Sequence, residues 1–138
     1  MRFRLPFDCC SEKRSVAHRP LLSDEQATEL EAIFKVLANQ TRLRMLQAVI
    51  RAGEICVTDL AEALDMKPQA ISNQLQRLVD RGMVAPRRNG NNIFYRVVDA
   101  CVISLLDKGL CLMEEAAVRN NASESERAAP DALPETSS

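Results

Sequence analysis

The side chains best suited to soft-ion or redox chemistry are five thiols and one imidazole: Cys9, Cys10, Cys56, Cys101, Cys111 and His18. The start, MRFRLPFDCC, has no apolar run that would make it a secretory signal. With an odd number of cysteines, this predicts reduced thiols in a cytoplasm and not a disulfide framework. Adjacent Cys9 and Cys10 seldom form a comfortable disulfide with each other, yet both can reach one large soft ion. Cys101 and Cys111 stand ten residues apart, about 15 Å along a helix, so they cannot share an ion within it. Across an antiparallel pair of such helices they could meet their counterparts. Core filler, redox sensor and ligand all remain open for these thiols. His18 reads as a surface residue of an N-terminal arm. The sequence has no C-x-x-C in a βαβ setting, no histidine base placed beside a nucleophile and no Gly-rich phosphate loop, so an enzyme is not expected.

A second kind of chemistry, the reading of DNA, is written in Val57 to Gly82, VTDLAEALDMKPQAISNQLQRLVDRG. Leu60, Ala61 and Leu64 share one face of a short helix, with Thr58 placed to cap it. Asp65-Met66 breaks the pattern, and Pro68 suits the first position of a new helix, where its missing N–H goes unneeded. Ile71, Leu75, Leu78 and Val79 then point inward until Gly82 offers a stop. The opposite face, Gln69, Ser72, Asn73 and Gln76 with Lys67 just before it, is long-armed and poor in acids, as base edges and phosphates require. An ordinary solvated pair of helices has the same pattern. The residues after Gly82 favour the DNA reading. Met83 to Pro86 and Ile93 to Val98 read as strands around a basic turn, Arg87 to Asn92, that carries Asn-Gly. Arg87, Arg88 and Asn91 are placed there to touch flanking phosphate or minor groove. From Lys67 to Arg96 there are six basic residues and one acid, against a net charge of −1 for the whole chain. The positive charge is therefore concentrated on one stretch.

The elements that must position these residues fit one domain of 138 residues. No apolar run approaches the ~20 residues of a membrane span. Ser23 and Gln26 form a capping box for a first helix to about Ala38, with Leu30, Ile33, Phe34 and Leu37 as its inward stripe. Asn39 or Thr41 caps a second, where Leu43, Leu46, Val49 and Ile50 point inward before Gly53. Asp99 caps a last helix, Ala100 to about Val118. Its apolar residues, Val102, Leu105, Leu106, Leu110, Leu112 and Met113, cover more than half the circumference. So apolar a helix must bury more than one face, and a second copy of the chain is the cheapest cover, with the first helix in the same seam. The expected organisation is a flexible arm over residues 1–20, a DNA-binding and dimerisation domain over 21–119, and a disordered acidic tail over 120–138. The fold class is mainly α with a small β-hairpin wing: a winged helix-turn-helix, homodimeric through its first and last helices.

Three stretches resemble the ArsR/SmtB family of metal-responsive repressors, across roughly Asp24 to Val118. VLANQTRLRMLQAV (Val36 to Val49) is similar to the family's "LA-[DN]-x-TR-x-x-IL". EICVTDLAEAL (Glu54 to Leu64) looks like "ELCVCDL". AISNQLQRLVDRGMV (Ala70 to Val84) resembles "xVSxHLxxLxxxGLV". Two positions depart: Gln74 stands where the family has His in its recognition helix, and Thr58 where it has the second Cys of ELCVCDL. The resemblance implies a homodimer that leaves double-stranded operator DNA when a metal or metalloid binds. Some relatives bridge N-terminal cysteines to the Cys that matches Cys56, which implies a site of Cys9, Cys10 and Cys56, with Cys101 and Cys111 as a second thiol site or as packing. Three sulfurs suit As(III) or Sb(III), and also Cd(II), Pb(II) or Hg(II), better than Zn(II), Ni(II) or Co(II). With one histidine, the histidine-rich zinc site that some relatives carry on the last helix cannot be assembled. A redox- or persulfide-responsive repressor on the same scaffold is the alternative.

Overall fold

In the computed structural model, which describes residues 14–128, Ser23 opens the first helix with the predicted capping box. Its Oγ accepts from the Gln26 N–H at 3.1 Å, and Gln26 Oε1 accepts from the Ser23 N–H at 3.0 Å. Helix α1 spans Asp24–Leu37 and α2 spans Gln40–Ala52. Of the two candidate caps for α2, Asn39 is the one used, its Oδ1 accepting from the Arg42 N–H at 3.0 Å. Strand β1 (Ile55–Cys56) leads into α3 (Val57–Leu64), α4 (Pro68–Asp80), β2 (Val84–Asn89), β3 (Asn92–Val97) and α5 (Ala100–Ala128). Among the described residues, a 3-10 turn, Val16–His18, precedes α1. The vicinal pair Cys9-Cys10 lies outside the described residues, as does the tail beyond 128.

The core sits where helical spacing predicts it for α3 and α4. Leu60, Ile71, Leu75 and Leu78 are fully buried, joined by Met45, Leu46 and Val49 from α2. Two stripes differ from expectation. On α2, Met45 takes the inward place and Leu43 faces out, because the buried face turns toward α3 and α4. On α1 only Leu37 is buried, while Leu30, Ile33 and Phe34 remain 36–47% exposed. Among the described residues α1 packs chiefly on α2, which leaves this stripe partly uncovered.

The turn between α3 and α4 shows how local chemistry breaks a helix. Asp65 adopts the left-handed conformation (φ 54°, ψ 51°), which short polar side chains tolerate. The Asp65 and Met66 N–H groups close the helix on Glu62 O at 3.2 Å and Ala61 O at 2.9 Å. Pro68 opens α4 as predicted. The cap of α3 is a correction: Cys56, not Thr58, is the N-cap residue, and Thr58 is the second residue inside the helix.

The predicted hairpin wing is present as β2 and β3, and β1 joins it in a three-stranded antiparallel sheet of order β1-β3-β2. Two-residue β1 is too short for sequence periodicity to reveal. It pairs Ile55 with Tyr95 and Cys56 with Phe94. The hairpin is also longer than expected, with Asn89 opposite Asn92. Its two-residue turn is Gly90-Asn91, not Asn-Gly, and Gly90 at φ 65° supplies the positive φ that a tight hairpin of this type needs. Arg87 and Arg88 consequently lie on β2 and not in the turn.

Helix α5 begins at the predicted cap, with Asp99 Oδ1 accepting from the Cys101 N–H at 2.8 Å. It continues to Ala128, past its last large apolar residue at Val118, so residues 120–128, expected in a disordered tail, are helical. Ala and Glu there propagate an existing helix even without a face to bury. The chain divides after Ser104 into two units. In the first, Val102 is buried at the foot of α5; in the second, Leu110, Leu112, Met113 and Val118 are exposed.

Candidate nucleic-acid interface and thiol positions

The outward face of α4 has the shape of a reading surface. Ile71, Leu75 and Leu78 anchor one side of the helix in the core, which forces Gln69, Ser72, Asn73 and Gln76 outward. All four are exposed, as is Lys67 at the N-cap position. Two side-chain bonds along the helix set their directions. Gln69 Nε2 donates to Asn73 Oδ1 at 3.0 Å, and Gln76 Nε2 donates to Asp80 Oδ1 at 2.8 Å. The first bond leaves the Asn73 amide N–H groups and the Gln69 carbonyl for an external partner, the donor-and-acceptor pairing that a base edge presents.

On the wing, Asn91 is exposed at the tip and Arg88 is exposed on β2. Arg87, expected to reach phosphate, is held by Glu54. Its Nη2 donates to Glu54 Oε1 at 2.7 Å, and its Nε to Oε2 at 2.9 Å and Oε1 at 3.2 Å. The guanidinium carbon also lies 5.5 Å from the centre of the Phe94 ring, within cation–π range. The hydrogen bonds from Arg87 hold the Glu54 carboxyl below its ordinary pKa, helped by the charges of Arg87 and Arg96. The Glu54 carboxylate in turn raises Arg87 above its own. Glu54 opens the EICVTDL stretch, but nothing in the sequence marks it as the partner of Arg87. Only the pairing of β1 with β3 brings it within reach of a residue 33 positions away.

Cys56 stands half-buried on β1, directly across from Phe94, with no side-chain bond to the α3 N-terminus. Cys9 and Cys10, its expected co-ligands, are outside the described residues. Among the described residues, no three His, Cys, Asp or Glu side chains are grouped so as to hold a metal ion. A site at Cys56 therefore depends on donors from elsewhere. Cys101 is half-buried in the first turn of α5, and exposed Cys111 directs its thiol at Glu115 Oε1 at 3.7 Å. They fall in different units. His18 is exposed and hydrogen-bonded to Ser15 Oγ at 2.8 Å. No described helix is long and apolar enough to cross a membrane.

Residues 39–85, which hold α2, β1, α3 and α4, match the family described as bacterial regulatory protein, arsR family. Among curated proteins, the transcriptional repressor SmtB homolog of Synechocystis is 38% identical over 85 residues, covering 62% of this chain and 64% of that protein. Among solved structures, the AntR antimony-specific transcriptional repressor is 57% identical with a TM-score of 0.67, covering 78% of this chain and 97% of that one. A homodimeric winged helix-turn-helix DNA-binding domain from Mycobacterium bovis is 31% identical with a TM-score of 0.59, covering 70% and 92%.

Proposed function

The chain belongs to the ArsR family of bacterial regulatory proteins, and from that membership we propose that it is a dimeric repressor of operator DNA released by a thiophilic ion. The observation that carries the DNA half is the face of α4, exposed and organised by its own hydrogen bonds. Lys67, Gln69, Ser72, Asn73 and Gln76 would address the major groove, with Arg88 and Asn91 on the flanking backbone. The exposed apolar faces of α1 and α5 support a twofold dimer. Such a dimer presents two reading helices to two half-sites.

For the effector, Cys9, Cys10 and Cys56 would supply three thiolates to As(III) or Sb(III), with Cd(II), Pb(II) and Hg(II) as weaker matches. The specificity for antimony carried in the name of the AntR repressor supports this ranking. Ligation would fasten the N-terminal arm to β1, and β1 is the strand on which the wing is mounted. A coupling of about 3 kcal/mol between ion and DNA lowers operator affinity about a hundredfold.

The test is anaerobic titration of the reduced full chain with As(III), Sb(III), Cd(II) and Hg(II). It follows thiolate-to-metal absorbance, free thiols and release of a bound duplex. Loss of about three thiols per protomer is expected, abolished by Cys56→Ser and by Cys9→Ser with Cys10→Ser. Cys56→Ser should still bind DNA but no longer let go. Release by oxidant alone, with no ion bound, would replace the metal reading with a redox one.

A further inference from the structure

We propose that Glu54 is a positioning residue of the DNA-reading head: it clamps the wing to β1 through Arg87 and so withdraws that guanidinium from the phosphate contacts. The inference rests on the chain being a DNA-binding regulator, and it assigns a role to a residue outside the recognition helix and the wing tip.

Beside the packing of β3 on α2 and of β2 on α4, the hairpin is joined to the helical part through the sheet. Strand β1 offers two residues of pairing, Ile55 with Tyr95 and Cys56 with Phe94, and short pairings are marginal on their own. The side chains add a second join. Glu54 stands immediately before β1, Phe94 is on β3 and Arg87 is on β2. The carboxylate takes two nitrogens of the guanidinium, and the Phe94 ring lies alongside it. All three strands are thus fastened at one level of the sheet. Single surface ion pairs contribute little, but a bidentate fork beside an aromatic ring has fixed geometry, the condition under which such pairs count.

The same bonds decide which arginine can meet DNA. A phosphate would have to displace a carboxylate that already occupies Nε and Nη2 of Arg87. Strand alternation sends Arg88 to the other face of β2, where no hydrogen bond or ion pair is made to it among the described residues. Cross-strand register puts Cys56, Phe94 and Arg87 in one row on one face. The thiol therefore sits one strand away from the clamp.

The experiment uses the full chain and a duplex enriched from a random pool by the protein itself, with binding measured at several salt concentrations. Arg87→Gln should weaken binding about fivefold while leaving the slope of affinity against salt unchanged. Glu54→Gln combined with Arg87→Gln should be no weaker than Arg87→Gln alone. A slope flattened by about one in Arg87→Gln would make Arg87 a phosphate contact and overturn the proposal. Amide exchange gives a readout that needs no DNA: Glu54→Gln should speed exchange at the β1–β3 pairing and leave α4 protected. Unchanged exchange there overturns the clamp. If the wild-type chain enriches no duplex, the regulator reading fails, and the exchange comparison still decides whether Glu54 holds the wing.

Discussion

Asn73 and Arg88 illustrate two kinds of contact that mutation should separate. Asn73 is aimed outward by its bond to Gln69, and under the proposed function it would meet a base edge. Asn73→Ala is expected to cost about 1–3 kcal/mol on the preferred duplex and to relax preference at one base pair. Arg88 is an exposed cation on β2. Arg88→Ala should weaken all duplexes alike and reduce the salt slope by about one, which competition with mutated duplexes would reveal. Glu54 supplies a pH signature. Its folded pKa is depressed by Arg87, so the unfolded chain binds its proton first as pH falls. The clamp's contribution is full above the ordinary glutamate range and is lost as pH drops through the depressed folded value. Arg87, shifted upward, stays charged throughout. Tyr95 is the sole tyrosine and lies on β3, so its fluorescence reports the wing directly. An acid transition in that signal, absent from Glu54→Gln, is the expected result.

At the scale of elements, α3 and α4 stand or fall together. Leu75 is fully buried between them and the rest of the core. Leu75→Ala should destabilise the fold by about 2–5 kcal/mol, read as a lowered urea midpoint. Helices α1, α2 and α4 are legible in the sequence because their start signals and 3.6-residue periodicity agree: the Ser23 box, the Asn39 cap, Pro68 at the start of α4. Strand β1 is not legible. Two residues carry no period, and the pairing that makes Ile55-Cys56 a strand comes from β3, far along the chain. The cap at Cys56 is hidden for the same reason, since Thr58 has the better capping side chain but strand geometry fixes where the helix begins. The outward face of α4 is readable from composition alone. A basic run points Arg87 at phosphate, and its acid partner becomes visible only through tertiary pairing.

For the molecule as a whole, the least explained surface is its apolar one. Phe34 is 47% exposed on α1 and Met113 is 60% exposed on α5, an arrangement that invites a second copy. Phe34→Asp and Met113→Asp should each shift sedimentation toward the monomer mass while leaving helical circular dichroism intact. A persistent dimer would place the seam elsewhere. The sheet order also bears on how the protein is made. Because β1 pairs with β3 and not with its sequence neighbour, Cys56 must wait for a partner strand that leaves the ribosome about forty residues later. At about 5–20 residues per second that delay lasts several seconds. During it α3 and α4 are already available as chain, while the strand bearing the thiol has nothing to pair with. The reading head is thus assembled in two acts of synthesis, and the wing is the last part of it to arrive.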